Sequence, residues 1–495
     1  MTAPDKAISI AILAMGGEGG GVLADWIVDL AEQAGFYAQT TSVPGVAQRT
    51  GATIYYVEIY PGTDSTSDSS LKPVLSLMPV AGHVDIVIAS ELMEAGRAIQ
   101  RGLVTRDKTT LITSAHRVYS MTEKIAMGDG RIDSQQLINA ASSAALRFIC
   151  ADYARLAQES GSVISAVLFG ALAGAQLLPL PRDRYEDAIR RGGVGVESSL
   201  VAFAVGFDSV EHSDATDAVA SHANPKPGPT LARVAKRIEQ NFPLESHKLL
   251  FAGIVRLAEY QDKGYADEFI DHLETILTLD TLHGDTRYRL LCEAARHLAL
   301  WMSYEDAIRV ADLKTRRTRF ERVALEAGCR KDQLLEIDEF FHPRIEEIAD
   351  IMPAVLGRWL LKSELVRRFK MGGRVVRTTS ARGYIQLYAI AGLRRWRRRS
   401  LRFHIEQQRI RAWLDLIRSI APADYELAIA LTNSQKLIKG YGDTHHRGNA
   451  SYDAVISALP HVRKQDKPAT TMESLIRAAL TDESGQALKS ALQAL

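Results

Sequence analysis

Short β-branched runs alternate, from residue 7 to residue 114, with stretches whose apolar side chains recur at three and four positions. AISIAIL (7–13), ATIYYVEIY (52–60), VDIVIAS (84–90) and TTLITS (109–114) predict strands, while LADWIVDLAEQAG (23–35) and SELMEAGRAIQRG (90–102) predict helices. Strand, helix, strand at this spacing implies a mostly parallel sheet with helices on its faces. The expected fold is therefore Rossmann-like α/β, with functional groups at the carboxyl ends of the strands. The pattern changes at DSVEHSDATDAVASHANPKPGPT, a polar stretch with three prolines and no apolar period, which marks a linker over 209–229. Beyond it, segments such as HIEQQRIRAWLDLIRSI (404–420) keep the helical period and no convincing strand occurs. The expected division is an α/β domain at 1–208 and an all-α domain at 230–495.

A chain of 495 residues is too long for one core, which agrees with two domains. Its 60 Lys and Arg against 59 Asp and Glu give no global pull toward nucleic acid or a membrane. Cys150, Cys292 and Cys329 are far apart in sequence, so they form neither a disulfide framework nor a thiolate cradle for zinc or iron–sulfur. A reducing, cytoplasmic setting is expected. Asp5 and Lys6 precede a short apolar run that ends in glycines, a first strand rather than a signal peptide. The charge-free stretch from Ser160 to Pro181 has the length of a membrane span. It is diluted by Ser162, Ser165, Gly170, Gly174 and Gln176, and is expected to be a buried helix.

The stretch AILAMGGEGGGVLADWI (11–27) carries Gly16, Gly17, Gly19, Gly20 and Gly21 between the first strand and the first helix. Such a loop leaves backbone N–H groups at a positive helix end, which suits an anion. Gly17, Gly19 and Gly21 approximate a dinucleotide fingerprint, but Thr40, Thr41 and Ser42 stand where a ribose-gripping carboxylate belongs. The competing reading is a tight turn for close strand–helix packing with no ligand. Arg49 follows the Pro44–Gly45 turn, and its guanidinium at the crevice mouth is suited to a carboxylate, a coenzyme A phosphate or a neighbouring subunit. RRGGVGVESSLVAF (190–203) reads as a packing turn rather than a second binding loop.

In the helical half, Leu365 to Ile405 holds twelve Lys or Arg and no carboxylate. Its densest part, with Arg394, Arg395, Arg397, Arg398 and Arg399, is expected to dock an acidic partner surface. Nucleic acid and a solvated or lipid-facing helix are the weaker readings in a neutral chain. GYGDTHHRG (440–448) concentrates Asp443, His445, His446 and Arg447 in a glycine-bounded loop. Adjacent histidines cannot both face one metal from a regular element, so no metal is expected there. Either the loop is structural, or His445 titrates near an active site.

The segment from Gly16 to Tyr60 resembles the gamma-type domain of the 2-oxoacid:ferredoxin oxidoreductases. Gly16, Gly17, Glu18 and Gly19 match its first loop, and Gln48, Arg49, Thr50 and Gly51 match its second. The chain departs from the pattern at Ala14, where a glycine is usual, and at Glu18, where a glutamine is usual; the added carboxylate opposes a phosphate. The resemblance spans about 7–205. With a long helical region ending in KLIKGYGDTHHRGN, the chain is similar to the beta subunits of long bacterial indolepyruvate ferredoxin oxidoreductases.

This resemblance implies a cofactor-free subunit of an enzyme that oxidatively decarboxylates arylpyruvates to arylacetyl-CoA, with coenzyme A as cosubstrate. The partner alpha subunit would carry thiamine diphosphate, magnesium and 4Fe-4S clusters. Electrons would pass to a ferredoxin-like acceptor, and the assembly would hold two copies of each subunit. Gly16, Gly17, Glu18, Gly19, Gly20, Gln48, Arg49, Thr50 and Gly51 are expected to face substrate or coenzyme A, with Arg49 and His445 as catalytic candidates. MGDGRID (127–133) contains the GDG of a thiamine site, yet RFICADYARLAQESG after it has no asparagine to hold magnesium. Rival readings are a stand-alone nucleotide-dependent oxidoreductase and a purely structural assembly subunit.

Overall fold

Strand β1 (Ile8–Met15) is buried on both faces, and its alternate side chains enter two different cores. Ile10 and Ile12 pack with Leu23, Ile27, Phe169 and Phe203 on one side of the sheet, and Ala11 and Leu13 pack with Val87, Ala95 and Leu111 on the other. A strand covered on both faces reads as a continuous apolar run, which is why ISIAILAM shows no polar alternation. The computed structural model describes residues 6–44, 52–60, 73–126, 128, 130–212, 227–326, 329, 333–341, 344–363, 372–440 and 442–495. It divides between Ala223 and Asn224 into two compact units.

In the first unit β1 is followed by α1 (Gly20–Gln33), β2 (Tyr37–Pro44), β3 (Ala52–Tyr60), β4 (Ile86–Ala89), α2 (Leu92–Gln100) and β5 (Thr110–Ser114). Then come α3 (Met121–Ile125), α4 (Ser134–Ala144), β6 (Arg147–Ala151), α5 (Tyr153–Glu159), α6 (Ile164–Gly174), α7 (Arg182–Gly192) and α8 (Val196–Ser209). The sheet order is β2-β3-β1-β4-β5-β6. Strands β1, β4, β5 and β6 pair in parallel, and β3 is antiparallel to both β1 and β2. The chain leaves β1 toward one sheet edge and leaves β4 toward the other. Their adjacent carboxyl ends therefore open a crevice, the place where sheets of this kind bind ligands.

The charge-free stretch forms α6, whose residues Ile164 to Ala173 are all buried. It packs closely on α8: a Cβ at Gly170 would lie 2.0 Å from the Phe203 carbonyl oxygen, and one at Gly206 2.1 Å from that of Val167. Among the described residues no single helix is long and apolar enough to cross a membrane, and the pair α5 and α6 is bent by 116°.

The second unit is helical around a core that includes Leu257, Phe269, Leu298, Trp301, Trp413 and Leu431. It departs from the sequence expectation in two places. Residues Asp338–Phe341 (β7) and Arg374–Arg377 (β8) form an antiparallel ribbon where no strand was expected, because four residues are too few to show a period. GDTHHRG is not a loop but the start of the helix Gly442–Ser457.

Candidate functional site

The glycine loop sits where β1 enters the crevice. Gly17 (φ +90°) and Gly19 (φ +74°) adopt the left-handed conformation that glycine tolerates. A Cβ at Gly19 would lie 2.7 Å from Ser165 Oγ, and one at Gly20 would lie 2.5 Å from Ala14 Cβ and 2.7 Å from the Tyr55 ring. A Cβ at Gly17 would meet nothing. The protein groups that approach Gly19 and Gly20 most closely are thus Ser165, Ala14 and Tyr55. Two polar residues of β2 are engaged internally. Thr41 Oγ1 donates to the Leu77 carbonyl at 2.7 Å, and the Gln39 amide donates to that of Ser76 at 3.3 Å.

Glu18 turns back from the loop to the end of the neighbouring strand. The Ser90 hydroxyl donates to its Oε2, and the Met15 N–H is shared between that oxygen at 3.2 Å and Ser90 Oγ at 3.1 Å. His116 Nε2 lies 3.4 Å from Glu18 Oε1, while Nδ1 of the same ring is 2.8 Å from Ser114 Oγ. Ser90 directly follows β4 and His116 lies two residues beyond β5, so the order β1-β4-β5 brings three distant positions together. Burial alone would raise the Glu18 carboxyl. The hydrogen bonds from His116 and Ser90, the adjacent imidazole and the Met15 N–H outweigh it, and hold the group below the usual carboxylate range.

This arrangement is not a nucleophile triad, because serine and histidine each bond the carboxylate and no Ser90–His116 hydrogen bond activates the hydroxyl. It is an imidazole–carboxylate pair at a crevice mouth, with side chains 21% and 19% exposed, able to hold or pass a proton. The ionised Glu18 also opposes a phosphate at this loop, despite the free N–H groups of the α1 amino end.

Behind the pair, Glu91 caps α2, accepting from the N–H groups of Met93 and Glu94 at 2.9 Å and of Val118 at 3.2 Å. Burial raises its carboxyl, partly offset by those bonds. Burial also pushes the neighbouring Glu94 up to about 7, although Arg97 lies 2.5 Å away. Arg117 and Glu123 pair at 2.5 Å, and Glu123 accepts from the Ile132 N–H at 3.1 Å, pinning the segment after His116. At the end of β6, burial pushes the Cys150 thiol up to about 12, far from a reactive thiolate.

Of the residues expected to face a ligand, Gly16, Gly17, Glu18, Gly19 and Gly20 come together at the crevice. Gln48, Arg49, Thr50 and Gly51 lie outside the described residues, as do Met127 and Asp129 around the GDG motif. The turn at 190–203 joins α7 to α8 through Gly193 and Gly195, both left-handed, and a Cβ at Gly192 would lie 2.7 Å from Trp26 Nε1. Among the described residues no group of three or more His, Cys, Asp or Glu is placed to hold a metal.

His445 lies in the second unit, buried, with Nε2 3.2 Å from Glu406 Oε1. Arg402 donates to His445 Nδ1 at 3.2 Å, and the Trp301 indole donates to Glu406 Oε2 at 2.7 Å. Burial lowers the His445 pKa, so the ring is a neutral bridge between helices rather than a group at a reactive surface.

The arginine run needs a similar correction. Arg397 is buried and pairs bidentately with Asp306 at 2.7 and 3.1 Å, with its guanidinium 4.1 Å over the Tyr260 ring. Arg394 donates to the carbonyls of Ala258 and Gln261, and Arg398 pairs with Glu268 and Asp262. These three hold the unit's own helices together. Only Arg395 and Arg399 of the five are exposed.

Ser90 and His116 were not singled out from sequence. The signal lay in the first polar residues after the apolar runs IVIA and TLITS, the positions that parallel topology makes functional.

Residues 9–209 match the family model described as Pyruvate ferredoxin/flavodoxin oxidoreductase, and residues 246–458 match one described as a family of unknown function (DUF6537). No curated protein matches the chain. Among solved structures it is similar to the pyruvate oxidoreductase subunit PORC of Thermotoga maritima, at 16% identity over 41% of this chain and 96% of that one, with a TM-score of 0.29. It is similar to a keto/oxoacid ferredoxin oxidoreductase gamma subunit of Geobacter sulfurreducens, at 15% identity over 42% and 98%, with a TM-score of 0.29. A third likeness is to the 2-oxoglutarate:ferredoxin oxidoreductase of Magnetococcus marinus, solved with 2-oxoglutarate, coenzyme A and succinyl-CoA bound. There the identity is 16%, the chain covers 32% of that protein with 42% of its own length, and the TM-score is 0.31.

Proposed function

We propose that this chain is the subunit of a 2-oxoacid:ferredoxin oxidoreductase that holds none of its redox cofactors, and that the enzyme acts on indolepyruvate or a related arylpyruvate. The observation that carries the reading is the family match of residues 9–209, the unit that contains the Glu18–His116 crevice. The residues of this chain do not fit the cofactors such an enzyme needs. Three dispersed cysteines, one of them a buried thiol, cannot supply the four thiolates of an iron–sulfur cluster. The GDG at 128–130 has no following asparagine pair for magnesium. Thiamine diphosphate, magnesium and 4Fe-4S clusters are therefore assigned to a partner alpha subunit, in a cytoplasmic hetero-oligomer that delivers electrons to a ferredoxin-like acceptor.

In this reading the crevice completes the partner's active site, with the glycine loop and Arg49 toward substrate or coenzyme A. Glu18 holds the His116 ring in place, and His116 exchanges a proton at the crevice mouth. Co-expression with a cysteine-rich partner, followed by thiamine and iron analysis of each separated chain, tests the assignment. The partner is expected to hold both cofactors. The complex is expected to turn over indolepyruvate with coenzyme A and a ferredoxin faster than pyruvate. Turnover by this chain alone would overturn the reading. A His116→Ala complex with unchanged kcat and KM would reduce the chain to an assembly subunit.

A further inference from the structure

On the second unit, the helix Ala381–Gly392 and the turn Leu393–Arg399 have one side exposed among the described residues. The exposed positions Arg382, Ile385, Tyr388, Gly392, Trp396 and Arg399 recur every three or four residues, which makes them a single stripe. Ile385, Tyr388 and Trp396 are 64%, 63% and 55% exposed, an unusual run of large apolar side chains in water. Arg382, Arg395 and Arg399 make no ion pair among the described residues, and the Arg399 guanidinium lies 5.0 Å over the Trp396 ring.

From Gly372 to Ile405 there is no carboxylate at all. The acids near the ribbon are already matched, Glu336 and Asp338 by Arg377 and Glu339 by Lys314 and Arg319. At the amino end of the same helix lies an open cleft of about 640 Å3, walled by Phe320, Leu335, Thr378, Ala381, Tyr384 and Ile385. Ile385 belongs to both cleft and stripe, so the two form one continuous surface. The first turn of the helix carries no acid, so its positive end adds to the arginines.

We propose that this surface docks an acidic segment of a partner protein. An apolar or aromatic side chain of that segment fills the cleft, and its carboxylates meet Arg382, Arg395 and Arg399. Charge complementarity identifies the occupant: arginines with no ion pair among the described residues, interleaved with Tyr, Trp and Ile, are the composition of a protein interface core. A nucleic-acid footprint would need a longer cationic track. The inference concerns the helical unit and stands independently of the oxidoreductase reading.

The test uses the full-length protein and a fluorescein-labelled synthetic peptide of alternating acidic and apolar residues, followed by anisotropy. The expected result is salt-sensitive binding that quenches Trp396 emission and weakens about tenfold or more in an Arg395→Glu/Arg399→Glu variant and in Trp396→Ala. The same peptide with Asn and Gln in place of its acids should bind correspondingly weakly. All the altered residues are exposed, so circular dichroism should be unchanged. The proposal is overturned if the peptide does not bind or if the variants bind it as the parent does. Tighter binding of oligothymidylate, or of phosphatidylcholine–phosphatidylglycerol vesicles, through these residues would overturn it as well.

Discussion

The chain pairs a glutamate with a histidine in each of its units, at similar distances and in opposite circumstances. Glu18 and His116 meet at 3.4 Å with about a fifth of each side chain exposed, whereas Glu406 and His445 meet at 3.2 Å with 0% and 6% exposed. Both glutamates are held below the usual carboxylate range against burial, the first by His116, Ser90 and a backbone N–H, the second by His445, Arg402 and Trp301. The pairs differ in access. A buried pair ties helices together and exchanges no proton with a substrate. The same two side chains at the carboxyl ends of parallel strands stand where chemistry is possible.

Removing the buried glutamate should have the largest effect. Glu406→Ala takes away the closer carboxylate of near-buried Arg402, leaving only Asp350 at 3.5 Å, and strands the Trp301 N–H, so the helical unit should lose about 3 kcal/mol. Urea unfolding, followed separately for the two units, measures it; a loss below about 1 kcal/mol would show that the network contributes little.

The next effect is one of pH. Glu94 keeps its proton up to about pH 7 in the folded state, while the unfolded chain releases it near 4.5. The folded state then binds more protons over that window, so stability of the first unit falls as pH rises from 4.5 to 7, by up to about 3 kcal/mol. Asp350 of the helical unit, pushed up to about 6 by burial, acts with the same sign over a lower window. Glu18 and Glu406 act oppositely: their contribution is present above the ordinary carboxylate range and lost as pH falls below it. Thermal midpoints across this range should decline toward neutrality for the parent and flatten for Glu94→Gln.

The two units also differ in how far the sequence disclosed them. β3 was delimited at 52–60 from its pattern alone, and β1, β4 and β5 were found to within a few residues, because strands inside the sheet must be apolar. The strands that escaped, YAQTTSVP and RFICA, are the two sheet edges, where one neighbour and a wet flank leave no period to read. The glycine loop and Glu18 were legible because five glycines in six positions have few explanations. Ser90 and His116 were not, since strand order rather than sequence distance joins them to Glu18. In the helical unit, composition misled. A run of five arginines looks the same whether it faces solvent or, like Arg397, lies under Tyr260 against Asp306. The ordinary reading of a charge run as a solvated face holds only for Arg395 and Arg399.

Within the glycine loop, Gly20 and Gly17 should respond differently to a methyl group. Gly20→Ala drives a Cβ to within 2.5 Å of Ala14 and 2.7 Å of the Tyr55 ring, overpacking that should cost about 1–3 kcal/mol. Gly17→Ala meets open space and bears only the left-handed backbone penalty, about 1 kcal/mol. Equal losses at the two sites, measured by chemical denaturation, would mean that packing does not select the glycine at position 20.

The smallest change is the most discriminating. Glu18→Gln preserves shape and still accepts from Ser90 and Met15 through its carbonyl, but removes the charge beside His116. At this partly exposed site the stability cost should be about 1 kcal/mol, whereas Glu406→Gln, in a dry site facing Arg402, should approach the loss seen for Glu406→Ala. If the proposed function holds, the ranking should invert in the activity of the complex. Loss of the Glu18 carboxylate removes the acceptor that holds the His116 ring at the crevice mouth, so kcat should fall for Glu18→Gln and stay unchanged for Glu406→Gln, once both are normalised to folded protein. If neither variant changes kcat, the exposed pair is as structural as the buried one, and the contrast between the two units lies in solvent alone.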